Sequence, residues 1–312
     1  LQKILSKQML TGLFSGSGAY THSAPNSFDV LIVDEAHRLK ARHQYSKGGV
    51  NQIKEIIAST RTAVFFIDEA QKVTWKDIGD VAAIKAFARD EEAEIQEFTL
   101  HSQFRCGGSD DYLVWLDDTL GIRQDPASYF SPDRYDFQIF DNPAILHDTI
   151  REKNQGTNKS RMVAGYCWNW TSRKPGGAPD IVFPEFSYEA EWNLTEHGGK
   201  WIIEPDSVSE VGCIHTCQGL ELDYVGVIVG PDLIFRNGEL RTDPNGRAKD
   251  DKSLSGYKKA FKDDASQATE RADAIIRNTY RTLMSRGMKG CYVYFTDKAT
   301  ADYFRQQLPA GN

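Results

Sequence analysis

Two carboxylates and a histidine follow four branched apolar residues in the run Val30-Leu31-Ile32-Val33-Asp34-Glu35-Ala36-His37. Such a run predicts a strand buried on both faces of a parallel sheet. Acidic groups at the carboxyl end of that strand sit where open α/β sheets bind their ligands. There an aspartate can hold Mg²⁺ through its water shell, while a neighbouring glutamate orients an attacking water. Taken alone, the segment fits a buried strand followed by a polar loop equally well.

Other chemistries find little support. The five cysteines (Cys106, Cys167, Cys213, Cys217, Cys291) make no paired Cys-x-x-Cys framework, which argues for a reduced, cytoplasmic chain without structural zinc. Glu-x-x-His and His-x-x-x-His pairs are absent, so His37 and His215 read as satisfied hydrogen-bonding histidines rather than metal ligands. The lack of a Gly-x-Ser-x-Gly elbow and of a nucleophilic Cys–His context argues against acyl transfer. The net charge of −7 argues against a globally basic surface, though a basic groove can exist on an acidic body. No apolar run is long enough to span a membrane, and the first twenty residues lack a signal-peptide pattern. A start at Leu1 rather than Met suggests a chain that begins inside a longer protein.

The 312 residues allow two domains. Strand-like and helix-like runs alternate, as in parallel α/β folds. Strands are expected at residues 30–33, 63–67, 97–100, 137–140, 161–167, 211–216, 225–229 and 291–295. Helices are expected at 51–58, 81–88, from about 110 to 120, at 143–153, about 272–286, and 299–308. Gly107-Gly108-Ser109-Asp110 offers a break and a cap, and residues 171–179 a loop. Asn237-Gly238 between apolar flanks signals a hairpin. Residues 242–270, polar and rich in Lys and Asp, suggest a mobile excursion. The expected domain boundary lies near residues 100–106.

The ordered set of motifs resembles superfamily 1 helicases, and more closely the Schlafen group-three-like DNA/RNA helicase family, over nearly the whole chain. The stretches that carry the resemblance are Ile214-His215-Thr216-Cys217-Gln218-Gly219-Leu220-Glu221, Asn278-Thr279-Tyr280-Arg281-Thr282-Leu283-Met284-Ser285-Arg286-Gly287-Met288-Lys289-Gly290, and Arg161-Met162-Val163-Ala164-Gly165-Tyr166-Cys167-Trp168. The resemblance implies an α/β fold of two RecA-like parallel-sheet domains. Residues 1–103 would form the remainder of an incomplete first domain, and residues 104–312 the second, with an excursion around 231–270. It also implies ATP and Mg²⁺ as cofactors and DNA or RNA, with a single-stranded track, as partner. Asp34 becomes the Mg²⁺ carboxylate and Glu35 the water-positioning residue. In Asp68-Glu69-Ala70-Gln71, Gln71 becomes the γ-phosphate sensor, although Ile67-Asp68 replaces the family's usual Gly-Asp opening. Arg105, in Gln103-Phe104-Arg105, and Arg286 become two arginines on the γ-phosphate, a task suited to an always-charged, forked guanidinium. Gln218, Gly219 and Glu221 would contact the nucleotide, and Thr216 the nucleic-acid backbone. Trp75 stands where related motors stack a base, yet it reads slightly better as a core or interdomain aromatic.

No Gly-x-x-x-x-Gly-Lys-Ser/Thr loop occurs in the chain. Ser15-Gly16-Ser17-Gly18-Ala19-Tyr20 lacks the lysine and the following apolar helix, and reads as a flexible loop. The resemblance places the phosphate cradle upstream, in a fused segment. On that basis residues 1–312 alone are expected to bind ATP weakly and to hydrolyse it slowly or not at all. The reading to weigh against an ATP-driven motor is a nucleic-acid- or protein-binding module that keeps the fold without the cycle. A nuclease using the acidic pairs fits less well, because both acidic pairs fall in motor motifs.

Overall fold

The computed structural model describes residues 13–41, 51–100, 104–123, 134–174, 176–193, 197 and 200–308. Gln103, part of the expected Gln103-Phe104-Arg105 motif, lies outside them. The chain divides into two compact units, Leu1–Thr99 and Leu100–Asn312. No helix among the described residues is long and apolar enough to cross a membrane.

The first unit is built on two parallel strands, β1 (Phe28–Val33) and β2 (Thr60–Phe65), with Val30 opposite Thr62 and Val33 opposite Phe65. Between them, α1 (Gln52–Ser59) starts at Asn51, whose side chain accepts from the Ile53 N–H. Its Ile53, Ile56 and Ile57 form one apolar stripe that packs on Leu31, Val33, Ala63 and Phe65. Helix α2 (Val81–Asp90) is capped by Asp80, which accepts from the Ala83 N–H. Among the described residues only one face of the strand pair is covered. Val30 and Ile32 are 55% and 70% exposed, so the expected burial of β1 on both faces is wrong. Alternation decides it, since Leu31 and Val33 point to α1 while their neighbours point away. The strand expected at residues 97–100 is also not formed, and Phe98 and Leu100 are exposed without regular structure. The expected loop around Gly16–Gly18 contains a single 3₁₀ turn, Ser17–Tyr20.

The second unit carries a five-stranded, all-parallel sheet, an α/β arrangement compatible with a RecA-like fold. Its strands are β3 (Asp136–Phe140), β4 (Ser160–Ala164), β7 (Val211–Gly212), β8 (Leu222–Val229) and β11 (Gly287–Phe295), in the order β3-β11-β8-β4-β7. The expected strand at residues 211–216 stops at Gly212, and the chain turns directly into a one-turn helix, α5 (Ile214–Cys217). Helices α3 (Asp110–Thr119), α4 (Pro143–Asn154), α7 (Ala265–Met284) and α8 (Lys298–Gln307) belong to the same unit. Asn142 and Asp297 cap α4 and α8 through their side chains. Two antiparallel hairpins are added. One, β9 (Leu233–Arg236) with β10 (Glu239–Thr242), turns through Asn237 and Gly238, both at positive φ, as their sequence predicts. The other, β5 (Ile181–Phe183) with β6 (Tyr188–Ala190), has no clear sequence signal.

The polar segment at residues 242–270 is ordered, contrary to the expectation of a mobile excursion. It contains α6 (Tyr257–Asp263) and the first turns of α7. A buried ion cluster fixes it. Arg247 Nε donates to Asp232 Oδ2 at 3.0 Å, its Nη1 to Asp251 Oδ2 at 2.9 Å, and its Nη2 to Thr279 Oγ1 at 3.0 Å. The Tyr280 hydroxyl donates to Asp232 and accepts from the Gly230 N–H. Arg247 and Ser253 are buried, while most of residues 254–270 stay exposed, so the polarity of this segment serves both a buried network and a solvated face. Arg161, fully buried in β4, plays a comparable part: it donates to Ser207, Asn154, Asn158 and the carbonyls of Ile202 and Glu204, pinning the segment that leads to β7.

Removing one partner from a buried pair strands the other charge and costs about 3–5 kcal/mol. Arg247→Ala is therefore expected to lower the unfolding free energy by about 3–5 kcal/mol. Arg236→Ala, which breaks a pair whose arginine side chain is 48% exposed, is expected to cost far less. Urea unfolding of the two variants checks the difference, and similar losses would contradict it.

Candidate functional site

In the first unit the proposed acidic pair stands at the carboxyl end of β1. Asp34 is exposed, and its Oδ1 accepts from the Glu35 N–H at 2.9 Å. Glu35 adopts a left-handed conformation, φ 52° and ψ 42°, which is costly for a residue with a side chain and clusters at functional sites. Two contacts hold it there. The Ala36 N–H donates to the Phe66 carbonyl at 2.9 Å, tying the turn to the end of β2. His37, buried, places Nε2 3.1 Å from Glu35 Oε2. Gly79 seals the turn from outside, because a Cβ there would collide with the Ala36 carbonyl and the His37 backbone.

Gln71 follows the end of β2 on a short 3₁₀ turn. It is buried, and its Nε2 donates to Asp68 Oδ2 at 2.9 Å. Glu69 Oε1 accepts from the Val81 N–H at 2.9 Å, joining this turn to the start of α2. Trp75 is half-buried on the next turn, which Asp77 closes by accepting from the Thr74 N–H and hydroxyl.

In the second unit the turn that carries Arg105 packs beside the segment that carries Arg286. Arg105 opens a tight turn, Arg105–Gly108, in which Cys106 and Gly107 both take positive φ. This turn packs on the start of β11: Cys106 Sγ lies 3.7 Å from the Ser285 carbonyl, and a Cβ on Gly107 would stand 2.9 Å from the Met288 carbonyl. Arg286, next to Ser285, is buried. Its Nε donates to the Thr282 carbonyl at 3.0 Å and its Nη1 to the Leu220 carbonyl at 3.4 Å. Burial pushes the Cys106 and Cys217 thiols up to about 12, and the Arg286 guanidinium beside both pulls the other way. Arg286 is thus placed among the Arg105 turn, the end of α5 and the loop that follows. In that loop Gln218 is buried, Gly219 stands at φ 83°, and Glu221 is exposed.

Thr216, on the other side of α5, donates its hydroxyl to Asn193 Oδ1 at 2.7 Å. It lines a cavity of about 480 Å³ whose walls include Tyr166, Trp170 and Trp201. Sequence reasoning missed this cavity. The available signal was Trp168-Asn169-Trp170 directly after β4, in a loop otherwise rich in Gly and Pro. Among the described residues no group of three or more His, Cys, Asp or Glu side chains is arranged to hold a metal ion. The single open carboxylate of Asp34 still fits a hydrated Mg²⁺, which needs only one or two protein carboxylates.

A family model described as "Schlafen group 3, DNA/RNA helicase domain" matches residues 2–297. The chain belongs to that family. The chain is also 26% identical, over 293 residues, to YPL245W, an uncharacterized protein of Saccharomyces cerevisiae. That alignment covers 86% of this chain and 63% of the yeast protein.

Gly79→Ala is expected to destabilise the protein by about 1–3 kcal/mol by forcing apart the turn that carries Glu35 and His37. Gly16→Ala, with nothing within 4 Å of the added carbon, is the control and is expected to change little. Thermal unfolding compares the two, and equal midpoints would contradict the packing described for the turn.

Proposed function

We propose that this chain is the helicase-like core of an ATP-dependent translocase acting on single-stranded DNA or RNA. The observation that carries the reading is the meeting of the Arg105 turn, Arg286 and the Gln218–Glu221 loop at the junction of α5, β8 and β11. Bound ATP would supply the transferable γ-phosphoryl group, and Mg²⁺ its counter-charge. Asp34 would hold that cation through water. Glu35, kept in its unusual conformation by the Ala36–Phe66 tie and the His37 ring, would orient the attacking water. Gln71 would report the state of the γ-phosphate.

Arg105 and Arg286 would neutralise charge that develops as the phosphoryl group transfers, a task at which one guanidinium contributes about 10³–10⁵ in rate. To reach a phosphate, Arg286 must exchange the Thr282 and Leu220 carbonyls for phosphate oxygens, which ties nucleotide occupancy to the position of the 218–221 loop. Gln218, Gly219 and Glu221 would contact the nucleotide, with the open backbone at Gly219 allowing close approach. Thr216 and Trp75 would contact the nucleic acid. The chain spans 63% of its yeast relative, and we place the phosphate cradle, a loop with a lysine and consecutive N–H donors, outside residues 1–312.

In the full-length protein, Arg286→Ala is expected to lower the nucleic-acid-stimulated kcat by about 10³-fold or more, while nucleotide affinity changes far less. Arg286→Lys keeps the charge without the fork, and is expected to recover little of the rate. Steady-state phosphate release with nucleotide-binding titrations measures both quantities. Equal losses in turnover and affinity would argue against the assignment.

A further inference from the structure

The cavity beside Thr216 has the position and lining of a small-molecule site. It opens at the carboxyl ends of two parallel strands: Tyr166 follows β4, while Cys213 and Thr216 follow β7. That is the edge at which open α/β sheets receive ligands. At about 480 Å³ it falls in the size range of small-molecule pockets, which combine apolar walls with a few placed polar groups. The walls are aromatic. Tyr166 is held by stacking on Trp192, with centroids 5.0 Å apart. Trp170 is half-buried, with the Arg173 guanidinium 5.6 Å from its ring centroid. Trp201 is fully buried, and its Nε1–H has no hydrogen-bond partner among the described residues.

The polar lining mixes Asp250 and Asp251 with Lys252, His215 and Asn193, and Asp251 already answers the buried Arg247 at 2.9 Å. Asp250 Oδ2 accepts from the Trp170 N–H at 3.3 Å, so one carboxylate is fixed beside an aromatic wall. A planar occupant with exocyclic N–H donors suits both features, whereas an anion would meet carboxylates. Stacking on aromatic side chains is the sequence-tolerant way to hold an unpaired base, and a carboxylate accepts from an exocyclic amino group such as cytosine N4.

We propose that this cavity takes one unstacked, amino-bearing nucleobase of a single-stranded DNA or RNA, stacked against Trp170 and hydrogen-bonded to Asp250. The inference rests on the reading of the chain as a nucleic-acid motor and adds to it a base-contacting point on the second unit. The Arg247 cluster acts through position: it anchors the segment from Ala248, whose N–H donates to the Tyr166 carbonyl at 3.0 Å, to Asp250. Base selection at such a site favours adenine, cytosine or guanine over thymine and uracil, which lack the amino group.

Fluorescence anisotropy of labelled homopolymer strands on the full-length protein tests this. Wild-type protein is expected to bind adenine and cytosine strands several-fold more tightly than thymine or uracil strands. Trp170→Ala is expected to weaken all of them by about 5- to 150-fold, the range of one lost stacking contact. Trp170→Phe, which keeps a stacking face, should restore most of the affinity. Asp250→Ala, which removes the acceptor altogether, should erase the base preference. Strand binding that none of these variants alters would overturn the pocket and leave the motor reading standing. Failure of the wild-type protein to bind any strand would overturn both, as would Trp170-dependent capture of a trimethyl-lysine peptide in place of nucleic acid. Free cytidine that displaces the strand at equal concentration would make this a nucleoside site and overturn the assignment to a strand.

Discussion

A guanidinium keeps its charge at any pH the fold survives, so burying one obliges the backbone to supply acceptors around it. Arg286 is 4% exposed, and its acceptors are the carbonyls of Thr282 and Leu220. Its own carbonyl accepts from the Leu222 N–H at 2.9 Å. This two-way tie fixes the end of α7 and the beginning of β11 to the loop before β8. Because β8 and β11 are adjacent in the middle of the sheet, their register then sets where the 218–221 loop stands. The Arg105 turn packs on the same junction through Cys106 and Gly107, so three segments far apart in sequence share one electrostatic neighbourhood.

A second buried guanidinium organises the other side of α5. Arg247 satisfies Asp232 and Asp251 at once and reaches Thr279 on α7, and Tyr280 closes the ring of bonds onto Asp232. Buried ion clusters are weak evidence for net stability, since desolvation opposes the attraction. Their effect here is geometric: they make the conformation of the 247–252 segment strict. The aromatic cavity inherits that strictness, because one of its walls is this segment. The two arginines thus divide the labour, Arg286 at the edge proposed for nucleotide and Arg247 behind the edge proposed for a base.

Much of this was legible in the sequence. Continuous apolar runs marked β8 and β11 because both are buried on two faces, and the helical stripe of Ile53, Ile56 and Ile57 marked α1. Asn237-Gly238 marked its hairpin because only such residues take two positive φ values cheaply. The family motifs named Arg105, Arg286 and the Gln218–Glu221 loop. The failures have physical causes. The apolar run of β1 promised burial on both faces, yet apolar content reports affinity for cover and cannot say how many layers supply it. The β-like stretch at residues 97–100 has no neighbour to pair with among the described residues. The run through residues 211–216 ends early because the chain turns into α5 at Ile214. In residues 242–270 the composition hid two things: a buried ion cluster at Arg247, and helical turns on an otherwise exposed polar stretch. That His37 stands beside Glu35 becomes evident only when both are placed on one turn. The cavity went unseen because its walls come from four separated segments.

The claim on which the account rests is that Arg105 and Arg286 serve the same phosphate. A double-mutant cycle on the nucleic-acid-stimulated kcat/KM of the full-length protein tests it most directly, comparing Arg105→Ala, Arg286→Ala and the pair. Groups acting as a unit are strongly non-additive, so the second substitution is expected to cost far less than it does alone. Full additivity of the two losses in activation free energy would contradict the shared site.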